Sequence, residues 1–179
     1  MERMRDLRGL LPKSIPGLIA PEREVTIKVM GKSSWDKEAI SKLFLYLYHG
    51  PRPSPLSTPH VSKRIRTVPF YKRTINIPSG FEFTVEDAWA EYIYWPTLKL
   101  SFSSYTYVGE MLRRYKLASA LKDYYFNDLR GAGVTDSYAV AGSPEGLGFL
   151  ISKGYRPVMD LPPLVRWPAP QPWLHKEIR

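Results

Sequence analysis

Along the chain, hydrophobic and polar positions switch repeatedly between a period of two and a period near 3.6. In EVTIKVM (24–30), Val25, Ile27 and Val29 face one way and Thr26 and Lys28 the other, as in a half-buried strand. SSWDKEAISKLFLYLYHGP follows as a helix, with Ser33 or Ser34 as cap, Ile40, Leu43, Phe44 and Leu47 as its buried stripe, and Gly50-Pro51 as its stop. Residues 51–59, PRPSPLSTP, form an extended linker. Beyond it, Ile65, Val68 and Phe70 oppose Ile75 and Ile77 across a turn or bulge, and Pro69 and Pro78 confine these strands to a sheet edge.

FEFTV (81–85) is another short alternating run. Thr84 can cap a helix over Val85–Tyr94, which Trp95-Pro96 ends because the residue before proline avoids helical geometry. Leu98, Leu100 and Phe102 alternate as a strand over 97–102. The longest helix is expected at roughly 105–129, capped by Ser103 or Ser104 and closed by Gly131-Ala132-Gly133. Its apolar positions drift around its surface, so it touches more than one neighbour. A short strand at Tyr138–Ala141 leads to a helix opened by Ser143-Pro144-Glu145 and stopped by Gly154. After Tyr155 no period is visible.

The pattern predicts an α+β fold: one small domain with three to four helices and a short, mostly antiparallel sheet. Residues 1–23 form an N-terminal arm, 24–154 the core, and 155–179 an extended tail rich in proline and tryptophan. No apolar run approaches the roughly 18 residues of a transmembrane helix. In the arm, Glu2 and Asp6 argue against a transit peptide.

Charge changes the picture at one place. The chain of 179 residues carries a formal net charge of +9. Over half of that excess lies in Val61–Gly80, which holds Lys63, Arg64, Arg66, Lys72 and Arg73 and no acid. With Phe70 and Tyr71 between them, and with Arg113 and Arg114 further on, these bases suit an anionic partner such as RNA or acidic lipid headgroups. A basic edge strand also blunts edge-to-edge aggregation, which accounts for the same charges without any partner. The absence of cysteine excludes disulfides, zinc–thiolate sites and thiol nucleophiles, and permits a reducing compartment.

Motifs for catalysis are scarce. YAVAGSPEGLGFLISKG (138–154) sets a glycine-bearing loop at a helix start, yet Gly142, Gly146 and Gly148 miss both the dinucleotide and the Walker spacings. His49, His60 and His175 are scattered, and Asp87 and Glu91, one helical turn apart, read as a solvated face. No catalytic, metal or cofactor residue is therefore assigned. Trp167 and Trp173 in the proline-rich tail suit docking into grooves on a partner chain. The composition resembles that of supernumerary subunits of mitochondrial assemblies. The expectation is a non-catalytic structural subunit of a respiratory or ATP-synthase complex, mitochondrial and bound to other subunits. The alternative is an RNA-contacting mitochondrial ribosomal protein.

Overall fold

The computed structural model describes residues 26–68, 73–76, 82–85, 88–109, 116–165 and 170–179. Strand β1 (Thr26–Gly31) precedes helix α1 (Lys37–Leu47), and strands β2 (Val61–Val68), β3 (Arg73–Asn76), β4 (Glu82–Val85), β5 (Ala88–Trp95) and β6 (Leu100–Val108) follow. Helix α2 (Leu117–Gly131), strand β7 (Asp136–Val140) and helix α3 (Pro144–Ser152) come next. The chain closes with β8 (Arg156–Pro157), β9 (Leu164–Val165), β10 (Pro170–Gln171) and β11 (Trp173–Glu177). Seven strands form one mixed sheet in the order β1-β2-β5-β6-β7-β11-β8, while β3–β4 and β9–β10 pair separately.

Within the large sheet, β6 and β7 are parallel and the other neighbours antiparallel. The sheet is larger than the short, mostly antiparallel one the sequence suggested, and it reaches into the stretch expected to be a tail. Three α-helices appear among the described residues, none long and apolar enough to cross a membrane.

Two elements account for most of the difference. The helix expected over 85–94 is strand β5, because alternate residues enter different cores. Ala90, Tyr92 and Tyr94 pack beneath α2 and α3, with Leu121, Tyr125, Leu129 and Leu150. Ile93 and Trp95 pack beneath α1, with Ile40, Leu43 and Phe44. A strand covered on both faces loses its polar alternation, so its sequence reads as a continuous apolar run. The helix expected from 105 begins only at Leu117, since Tyr105–Val108 continues β6 in β-favouring residues.

Helix starts depend on local capping. Asp36 caps α1, its carboxylate accepting from Ala39 N at 3.0 Å. Ser33 and Ser34, the expected caps, turn toward the sheet to meet Ser62 and Glu91. Ser143 caps α3 as expected, with Pro144 in the first turn. The expected arm, 1–23, lies outside the described residues.

The C-terminal strand belongs to the core. β11 lies between β7 and β8, pairing from Trp173↔Val140 to Glu177↔Asp136 on one side. Trp173, expected to anchor the chain on a partner, is 1% exposed within the core beneath α1. Its neighbour Leu174 enters the opposite core beneath α2 and α3.

Candidate functional site: a cleft between two parallel strands

The parallel ladder of β6 and β7 is short. It runs from Leu100↔Asp136 to Ser103↔Ala139 and stops. Strand β6 continues to Val108, held by β5 through Ala88↔Val108. Strand β7 ends at Val140, held there by β11. Only Val140 of β7 lies beyond the ladder, so β6 runs on past the end of β7, and the β7 side of Ser104–Val108 has no ladder partner among the described residues. Crevices at the carboxyl ends of parallel strands are the usual ligand sites of open α/β sheets.

A bulge follows the end of the parallel ladder. Tyr92 pairs with Ser103 and Glu91 with Tyr105, so Ser104 is the extra residue, and its hydroxyl donates to Glu91 O at 3.0 Å. Such a bulge bends the strand and raises its twist just where β6 runs past the end of β7. It also resets the alternation of β6. Leu100 and Phe102 face α1 before the bulge, and Tyr105 faces that side after it, stacked on Trp89 at 5.0 Å.

Two helices begin at this end of the sheet, and they begin differently. The Ser143 hydroxyl accepts from Gly146 N at 3.0 Å, so the α3 start is capped. At α2 the residue before the helix is Lys116, in the left-handed region at φ 59°, and no side chain caps the turn among the described residues. The first backbone N–H groups of α2 lack intrahelical acceptors, leaving a partial positive charge beside an exposed lysine.

On the α2 side, the innermost point of the cleft is held by a buried amine. Lys122 is 3% exposed, and its Nζ donates to the Ser103 hydroxyl at 2.8 Å, on the last residue of the parallel ladder. Around it stand the rings of Tyr125 (4.8 Å), Tyr155 (5.1 Å) and Phe126 (5.9 Å). Burial, reinforced by the charge of Lys153, pulls its pKa down to about 7.

Nearby, Ser101, Tyr125, Ser137 and Tyr155 join a chain of hydroxyl contacts of 2.7–2.8 Å. Burial pushes Tyr125 up to about 12 and holds Tyr155 well above its usual value, so both phenols stay protonated. The chain satisfies polar groups that would otherwise be stranded in the core.

On the α1 side, the Arg64 guanidinium lies 4.2 Å from the Trp89 ring and 3.7 Å from the Glu91 carboxylate. Glu91, expected on a solvated helix face, is 4% exposed on β5 and also accepts from Ser34 N and Oγ. Tyr105 is half exposed above this floor.

The bases singled out from sequence are divided by strand alternation. Lys63 faces α2 and pairs with Asp128 at 2.8 Å, where Tyr92 OH also donates at 2.7 Å. Burial lowers the Lys63 pKa, but the hydrogen bond and charge of Asp128 outweigh it and the net shift is upward. Arg64 faces the other way, toward α1. Arg66 lies on β2 opposite Trp89. Arg73 lies on β3, paired with Val85. Lys72, Arg113, Arg114 and Trp167 are outside the described residues, as is Asp87. Lys122 and the bulge at Ser104 were not singled out from sequence. A lysine within an otherwise apolar helical stripe was the available signal for the first.

No protein-family model matches the chain, and no curated protein does. Solved structures match its fold. A candidate acyl-CoA N-acyltransferase from Klebsiella pneumoniae aligns at 11% identity and a TM-score of 0.51, covering 87% of this chain and 98% of that one. A candidate N-acetyltransferase from Lactobacillus plantarum aligns at 12% and 0.51, covering 88% and 100%. An IAA acetyltransferase from Bacillus cereus aligns at 15% and 0.50, covering 86% and 99%.

The architecture is thus a GNAT-like acetyltransferase fold. This likeness overturns the expectation of a non-enzymatic subunit in a respiratory, ATP-synthase or ribosomal assembly. The matching chains are named as acyl- and acetyltransferases.

Proposed function

We propose that the protein is an N-acyltransferase that takes its acyl group from an acyl-CoA bound in the cleft between β6 and β7. The observation that carries this reading is the end of the parallel ladder at Ser103↔Ala139 while β6 runs on to Val108. The fold of the matching acyltransferases supports it.

The residues present fit such a ligand. Backbone groups of Ser104–Val108 on the β7 side can pair with an extended chain bearing amides, as an added strand would. The uncapped start of α2, with Lys116 beside it, favours phosphate at the cleft mouth. Acyl-CoA supplies an activated acyl group as a thioester.

The chain's own part is to bind, orient and exclude water. Helix α2 and its aromatic residues close one side of the cleft. On the other side, the Trp89–Tyr105 stack, with Arg64 and Glu91 fixed against it, is the surface over which an acceptor amine can approach. The bulge at Ser104 lies between these two sides.

Added CoA is expected to raise the melting temperature of the purified protein, as any ligand of the native state does. Acetyl-CoA with a panel of primary amines is expected to release free thiol, read with a thiol-reactive dye. Lys116→Glu should weaken CoA binding roughly tenfold at low ionic strength and less in salt, because it reverses a charge near a helix start. Absence of both a thermal shift and acceptor-dependent thiol release would overturn the reading.

A further inference from the structure

Lys122 is an unusual group to find in the core. Lysines are almost never fully buried unless paired, yet the hydrogen-bond partner of this one is a serine hydroxyl, with no carboxylate opposite it among the described residues. The other inward-facing lysines on this side differ. Lys63 has Asp128, and Lys176 donates to Lys153 O at 2.7 Å and is only partly buried. Lys122 also sits at one particular place, bonded to the last β6 residue that pairs with β7. An amine there stands at the inner end of the cleft rather than anywhere along the helix.

We propose that Lys122 is itself an acyl acceptor: acyl-CoA bound in the cleft transfers its acyl group to Lys122 Nζ, so the protein carries an acyl-lysine at the apex of its own site. The proposal rests on the reading of the cleft as an acyl-CoA site. The neutral amine attacks the thioester carbonyl, a C–N bond forms and the C–S bond breaks. The departing thiolate takes the proton lost by nitrogen, leaving a secondary amide and a free thiol.

The surroundings favour this product. A pKa near 7 leaves much of the amine neutral, hence nucleophilic, at ordinary pH. The amide carries no charge to bury, retains an N–H for the Ser103 hydroxyl, and meets the aromatic walls of Tyr125, Phe126 and Tyr155 without an ion's desolvation penalty.

Burial gives the test its discrimination. A reagent arriving from bulk solvent reaches Lys122 after every exposed lysine. Preferential modification of Lys122 therefore requires delivery through the cleft. The folded protein is incubated with acetyl-CoA, digested and mapped by mass spectrometry, with a thermal shift recorded for CoA on the same sample. The expected result is acetylation of Lys122 ahead of Lys37, Lys42 and Lys153. That preference should vanish in urea-unfolded chain, and Lys122→Met should show no compensating modification nearby.

A CoA-dependent thermal shift with Lys122 unmodified would overturn this proposal and leave the acyl-CoA site standing. Acetylation spread over exposed lysines, with Lys122 last, would overturn it too. Absence of the shift, of the modification and of acceptor-dependent thiol release together would overturn the acyl-CoA reading along with it.

Discussion

Truncation before Pro170 is expected to leave a chain that does not fold. It removes β11, which lies inside the sheet and supplies the partner for both β7 and β8. Their ladder groups would be exposed together. Val158 N donates to Trp173 O at 2.8 Å and Ile178 N to Thr135 O at 2.7 Å, so two flanking loops lose their anchors as well.

Trp173 and Leu174 enter opposite cores, so one cut opens both. Trp173→Ala alone should cost about 3–5 kcal/mol, the usual range for removing a buried aromatic side chain. Whole domains are stable by only about 5–15 kcal/mol. The measurement is cooperative urea unfolding by circular dichroism for Trp173→Ala, and soluble yield with far-UV signal for the truncation. A truncated chain that melts cooperatively like the parent would show that β11 is dispensable.

Replacing Lys122 by methionine is expected to stabilise the protein at neutral pH. An ordinary lysine titrates near 10.5, and Lys122 is pulled down to about 7. Between those values the unfolded chain holds a proton that the native chain does not, so native stability rises with pH across the window. Above about 10.5 the amine is neutral in both states and the penalty is absent. Below about 7 it is protonated in both, and the full penalty applies, up to about 5 kcal/mol.

The groups facing Lys122 do not compensate. Ser103 on β6 is neutral, Tyr125 and Tyr155 remain protonated through this range, and Lys153 adds like charge. Methionine has a similar volume and no charge. Lys122→Met should therefore exceed the parent by about 2–4 kcal/mol at pH 7, allowing for the lost bond to Ser103. That margin should close toward pH 10. A difference that stays constant from pH 7 to pH 10 would mean the amine is not the source.

Local signals in the sequence located several elements and failed on the large ones. The strand at EVTIKVM, the stripe of Ile40, Leu43 and Phe44, and the Ser143-Pro144 start depend on nearest neighbours, and each appears close to where the pattern put it, although Val29, expected on the covered face of the strand, is exposed. Strand β5 failed because burial on both faces erases the contrast that periodicity measures. Starting the long helix at 105 merged part of β6 with α2. Counted from Leu117, the apolar positions 117, 121, 125, 126 and 129 keep one stripe, and Lys122 stands out within it. Strand β11 has five residues behind a proline-rich run, too few to establish a period. Its place between β7 and β8 depends on partners distant in the chain. The cleft was not legible, since it exists only where the pairing of two remote segments stops.

The brevity of the β6–β7 ladder leaves much of the union between the two parts of the sheet to side chains, since both cores cross it. One leaf holds β1, β2, β5 and β6, the other β7, β11 and β8, and the backbone seam between them spans only Leu100–Ser103 against Asp136–Ala139. A molecule laid into the gap and bonded to both margins would lengthen that seam.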